Sequence, residues 1–170
     1  MGELGTGAPA MKLELLSQPR LLSAARALVS TFAQRLGFDE ILCGQITLAV
    51  DEALCNIINH GYGRREDQPI WMSIWAVERD EATANGQEAG LRIVLEDNAR
   101  QVDPSTIRSR NLEDVRPGGL GVYIMREIMD EVLFEKREGQ GMRLTLVKRF
   151  DSTRPHETEG AEASEGGGRR

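Results

Sequence analysis

One stretch limits the possible folds more than any other: the run from Asp39 to about His60. It reads as a helix apolar on most sides, with Leu48, Ala49, Val50, Ala53, Leu54, Ile57 and Ile58 crowding its second half. A helix that is hydrophobic nearly all round must be buried by other elements. Into it are set a carboxylate and a carboxamide, Glu52 and Asn56, four residues apart. At about 3.6 residues per turn both fall on one face, one turn apart. Asn59 and His60 extend that stripe, and Gly61 and Gly63 stop the helix. Asp39 is a suitable N-cap. A polar stripe on such a helix requires a partner.

The remaining chain supplies the layers that could bury it. Met11 to Leu16 alternates apolar and polar residues, predicting a strand. From Arg20 to Leu36, apolar residues recur on one face of an amphipathic helix that Gly37 caps. Ile70 to Val77 and Leu91 to Leu95 read as two strands of a hairpin joined by the polar segment Arg79 to Gly90. A polar loop then leads to a short helix, Val122 to Asp130, and to two more strands, Val132 to Lys136 and Met142 to Phe150. Residues 1–10 read as a flexible lead, 11–150 as one domain, and 151–170 as a disordered tail without apolar periodicity.

Composition excludes several classes. With 27 acidic against 21 basic residues, the net charge of -6 argues against a duplex-binding surface, where phosphate contacts dominate affinity. The two cysteines, Cys43 and Cys55, fall on one helix about 18 Å apart and cannot bridge each other. Free thiols fit a reducing cytoplasm. No apolar run long enough to span a bilayer and no signal peptide is expected.

Three groups could carry chemistry. Glu52 could act as a general base and Asn56 as a neutral oxygen ligand for Mg2+. Taken alone, the pair reads more simply as the solvated face of a half-buried helix. Asp97 closes an apolar strand, where a carboxylate can accept the exocyclic amine of adenine. It is equally well a turn-forming Asp bonded to its own backbone. Arg116-Pro117-Gly118-Gly119-Leu120-Gly121 precedes a helix, an arrangement that lets backbone amides meet phosphate oxygens. Arg116 adds a cation for a terminal phosphate, and a plain loop is the simpler alternative.

The order of these parts is more specific than any one of them. DEALCNIINHGYG, LEDNARQVDP, GGLGVYIMREIMDEV and LTLVKR, spread over roughly residues 12–149, together resemble the GHKL ATPase superfamily. The resemblance is closest to its RsbW/SpoIIAB branch of anti-sigma-factor serine-protein kinases. It implies an α/β two-layer sandwich, with a mixed, mainly antiparallel sheet covered on one face by helices. It implies ATP/ADP and Mg2+ as ligands. By position, Glu52 matches the catalytic base, Asn56 the Mg2+ ligand, and Asp97 the adenine-reading acid. Gly118, Gly119, Leu120 and Gly121 match the phosphate loop, and Arg116 lies near the residue aimed at the γ-phosphate. Ala99 stands where the superfamily commonly has Gly. Gly141-Met142 stands where many relatives have Gly-Thr, which makes Thr145 a replacement contact. Histidine kinases usually carry Asn at the position of Glu52, so Glu here favours a hydroxyl acceptor.

The implied activity is phosphorylation of a serine on a STAS-type anti-sigma-factor antagonist, with a sigma factor as the competing partner. A cytoplasmic homodimer with no nucleic-acid or membrane contact is expected. The alternative is a nucleotide-gated binding module with little kinase activity. It would act on a sigma factor or on another target such as a secretion system or a phosphatase.

Overall fold

The computed structural model describes residues 7–78, 88–107 and 119–150. The elements run β1 (Met11–Leu16), α1 (Leu22–Leu36), α2 (Glu40–Asn56), β2 (Pro69–Glu78), β3 (Glu88–Asp97), α3 (Leu120–Ile128), β4 (Glu131–Lys136) and β5 (Met142–Arg149). The expected elements all form, with shifts of a few residues at their ends. The polar loop that leads to the last helix is described to residue 107, and in it Asp103 caps a short 3-10 turn, Pro104–Thr106. Residues 108–118, and with them Arg116 and Gly118, lie outside the described residues, as do 1–6 and the tail from 151. Of the expected lead, residues 7–10 are described, and the Gly7 carbonyl accepts a bond from Trp75 Nε1 at 2.9 Å.

The strands form one sheet in the order β1-β2-β3-β5-β4. Every adjacent pair is antiparallel, so the sheet is not mixed as the sequence reading allowed. The reason lies in the crossover. The chain leaves β3, passes through α3 and enters β4 running parallel to β3, but one place further out. The β4–β5 hairpin then returns β5 into the gap, antiparallel to both neighbours.

Strand alternation sorts side chains cleanly. Ile70, Met72, Ile74, Leu91, Ile93, Leu95, Leu144 and Leu146 face the helices and are buried. Helix α2 is the central helix, touching both α1 and α3. Ala25 and Ala33 of α1 and Ala49 and Ala53 of α2 are almost wholly buried, and their short side chains let the helices approach closely. The helical run Glu40–Gly61 is, by length and composition, apolar enough to cross a membrane, contrary to the sequence expectation. A core position accounts for it: Ile46, Val50, Ala53 and Leu54 have essentially no exposed surface.

Helix α2 does not continue regularly to His60. After Asn56 it widens into a π turn, Ile57–Gly61. It ends where Gly63 (φ 61°) and Arg64 (φ 66°) turn left-handed, and the Arg64 amide donates to the Ile58 carbonyl at 2.8 Å.

Candidate functional site

The π turn, the end of β3 and the start of β5 enclose a cavity of about 600 Å3, within the range of small-molecule sites. Asn56, His60 and Gly61 line it from the helix side, Asp97 and Ala99 from the end of β3, and Val122, Met142 and Leu144 from α3 and β5. Most of the wall is apolar, as a stacked purine requires. A π turn widens the helix and turns side chains by less than 100° per residue. Asn59 is accordingly exposed and absent from the wall, whereas His60 reaches it.

Asp97 is only 4% exposed. Its Oδ1 accepts from the Ala99 amide at 2.8 Å and the Met142 amide at 3.1 Å. The self-bonded turn is therefore real, and it orients the carboxylate at the cavity wall rather than displacing it. Oδ2 has no donor among the described residues. Burial pushes the Asp97 carboxyl above the usual carboxylate range, while the Ala99 and Met142 amides and the nearby Arg137 charge pull it back down.

Glu52 and Asn56 are partly exposed. Glu52 lies off the cavity wall, beside the N-terminus of α3. There Gly119 (φ 83°) caps the helix and Leu120 opens it, half exposed. Gly121 follows with no side chain. A Cβ at residue 121 would sit 2.6 Å from Glu52 Oε2 and 3.3 Å from Asn56 Nδ2. The structure thus brings the carboxylate, the carboxamide and a helix N-terminus to one point at the cavity edge. A helix N-terminus favours anions.

Thr145 does not belong to this site. Leu144 and Leu146 face the helices, so Thr145 points to the opposite sheet face, between Val94 and Leu133. The alternation in Met142–Arg149 carried that signal in the sequence. Backbone packing accounts for Gly141 instead. Gly141 has φ 88°, and a Cβ there would fall 1.8 Å from the Asp97 carbonyl oxygen. Ala99 is buried against Gly61, whose own Cβ would lie 3.0 Å from that of Ala99.

Several contributors carried no signal recognisable in the sequence. Tyr62 is buried, and its hydroxyl donates to the Pro69 carbonyl (2.6 Å) and accepts from the Asn98 amide (2.7 Å). Arg100 is the one guanidinium on the wall among the described residues. Arg137 donates to the Asp97 carbonyl at 2.7 Å.

The donor set suits a nucleotide and its metal. Among the described residues no group of three or more His, Cys, Asp or Glu could hold a metal by itself. A lone carboxamide such as Asn56 suits Mg2+, which commonly relies on phosphate oxygens and water for its remaining ligands.

Comparison with known proteins bears on the family and the fold. Residues 15–148 match the family described as "Histidine kinase-like ATPase domain". An anti-sigma F factor from Clostridium novyi is 33% identical over 144 residues, covering 84% of this chain and 95% of that protein. A serine-protein kinase RsbW from Listeria monocytogenes is 27% identical over 133 residues, covering 78% and 83%. Among solved structures, the SiaB-SiaC complex of Pseudomonas aeruginosa aligns with a TM-score of 0.59 at 12% identity, over 82% of this chain and 89% of that one. The RsbU and RsbW domains of a Mycobacterium tuberculosis protein align at 0.54 and 18%, over 84% and 33%. At such identities these two structures speak for the fold alone.

Proposed function

We propose a function on one premise: the chain belongs to the histidine kinase-like ATPase domain family. It binds ATP and ADP in the cavity at the end of β3, with adenine against Asp97 and the phosphates towards the N-terminus of α3. It is a serine-protein kinase and anti-sigma factor. Its substrate is a STAS-domain anti-sigma-factor antagonist, and its competing partner is an RNA polymerase sigma factor. Relatives named anti-sigma F factor and serine-protein kinase RsbW support this reading. We place it in the cytoplasm and as a homodimer, the latter to be checked by light scattering.

The observation that carries the proposal is the meeting of Glu52, Asn56 and Gly121 at the cavity edge. Glu52 is free to take the proton of an incoming serine hydroxyl. The serine oxygen bonds to the γ-phosphorus as the bond to the β,γ-bridging oxygen breaks, and ADP leaves with that electron pair. Asn56 would hold Mg2+, which neutralises phosphate charge when bound. Amides at the start of α3 face the developing charge. Asp97 accepts from the exocyclic amine of adenine through Oδ2.

Incubation with labelled ATP and a STAS-domain protein tests this. Label should pass to a partner serine, and Glu52→Gln should abolish transfer while keeping ATP binding. Binding without transfer to any partner would favour the gated binding module. The Ala99 side chain, packed where a glycine is common, is the observation on that side.

A further inference from the structure

The tip of the β4–β5 hairpin reaches back over the segment that follows β3. Arg137 Nη1 donates to the Asp97 carbonyl at 2.7 Å and to Asn98 Oδ1 at 2.9 Å. Gln140 Nε2 donates to the Asn98 carbonyl at 2.6 Å. In the other direction, Gln101 Nε2 donates to the Arg137 and Gly141 carbonyls at 2.7 and 3.2 Å. Arg137 is itself held on both sides. Its guanidinium lies 5.3 Å from the Trp71 ring centre, and its Nε is 3.4 Å from Glu96 Oε1. Two separate chain segments are thus latched by reciprocal bonds around one carboxylate. The Met142 amide, which supplies the second bond to Asp97 Oδ1, belongs to the same hairpin.

We infer that Arg137, with Gln140 and Gln101, forms a clasp that fixes the Asp97 carboxylate and so sets the selectivity of the cavity for adenine over guanine. This rests on the reading that Asp97 meets the adenine amine. Arg137 and Gln140 lie off the cavity wall and are positioning residues; Gln101 lines that wall and is left unchanged in the test. Without the latch, the hairpin tip can move away from Asn98. The Met142 amide then leaves Oδ1, and the carboxylate can turn. A turned or less directed carboxylate loses its bond to the adenine amine and its repulsion of the guanine carbonyl together. The affinity ratio between ATP and GTP therefore falls. Transfer from bound ATP persists, because Glu52 and Asn56 stand on α2, outside the clasp.

The test measures Kd for ATP and GTP, and label transfer at saturating ATP, in the full chain. Arg137→Gln should narrow the ATP/GTP ratio by about tenfold, the scale of one charge-assisted hydrogen bond. Saturated transfer should stay near wild type, and Arg137→Lys should recover part of the ratio. Arg143→Gln, which breaks an exposed pair with the same Glu96, should leave the ratio unchanged. If Arg137→Gln does not fold, Gln140→Ala, which removes the bond to the Asn98 carbonyl from off the cavity wall, carries the same expectation. A ratio that collapses in Asp97→Ala but stays intact in the clasp variants overturns the clasp alone. A wild-type protein with no preference for ATP, unaffected by Asp97→Ala, overturns the adenine reading and the clasp with it. Equal weakening of ATP and GTP, tracking a lower melting temperature, assigns Arg137 a purely structural role and also overturns the inference.

Discussion

At Gly121 the missing side chain decides where the Glu52 carboxylate can sit. Gly121→Ala would drive a methyl group to 2.6 Å from Oε2, the mobile end of a flexible side chain. We expect the carboxylate to swing aside at little cost to folding, under about 1 kcal/mol, because the obstacle is not backbone. Transfer should fall by roughly a hundredfold, the lower part of the range for a lost general base. Thermal melting and label transfer measured together separate the two effects. Gly141 behaves oppositely, since its obstacle is the Asp97 carbonyl and its φ is 88°. Gly141→Ala should cost about 3 kcal/mol or more in denaturant unfolding. Asp97 gives a pH signature. Its folded pKa is raised by burial, so the folded state binds the proton more tightly than the unfolded chain. The stability from this group is complete below the unfolded carboxylate pKa and is lost as pH rises through the folded pKa. Asp97→Asn should therefore flatten that part of the stability-pH curve and stabilise the nucleotide-free protein at neutral pH, while weakening ATP.

The π turn after α2 is the element that sets the cavity. It carries the helix five residues beyond Asn56, to Gly61, and brings Tyr62 into the core, where its hydroxyl bridges the start of β2 and the residue after β3. Removing the hydroxyl leaves the Asn98 amide and the Pro69 carbonyl without their partner in a partly buried place. Tyr62→Phe should then cost about 1–3 kcal/mol and loosen the Asp97-Asn98 corner. Faster amide exchange at Asn98, with β1 unaffected, is the expected observation. The two glycines seen in the sequence after His60 marked the helix stop correctly, since Gly63 adopts φ 61°. The widened turn before them was not legible. Its spacing depends on what Ile57 and Ile58 pack against, and both are buried in the core.

For the whole molecule, the ligand should act as part of the fold. The cavity lies between the helical layer and the sheet, so occupation joins α2, β3 and β5. At a hundredfold excess over Kd, ATP with Mg2+ should add about 2.7 kcal/mol of stability. For a domain of this size that is a rise of several degrees in Tm. Asp97→Ala should remove most of the rise. An equal rise in that variant would mean that adenine binds elsewhere. The opposite sheet face carries Trp71, Trp75 and Thr145, and it is no part of this cavity.

Periodicity, glycine placement and residue spacing are local properties, and the sequence by itself determined what depends on them. These are the five strands and three helices, the shared face of Glu52 and Asn56, and the Asp97 turn at a strand end. Only the tertiary structure decided which of these meet. Gly121 reaches Glu52 across the sheet crossover, and Arg137 reaches the Asp97 carbonyl from forty positions away in the chain. The two-residue alternation of its own strand, and not its place in a motif, sets the face to which Thr145 points. The all-antiparallel pairing also waited on the structure, because the direction of a strand's neighbour depends on where the crossover lands. Contacts between distant segments are set by packing around a common core, and no local pattern encodes the side from which a partner will arrive.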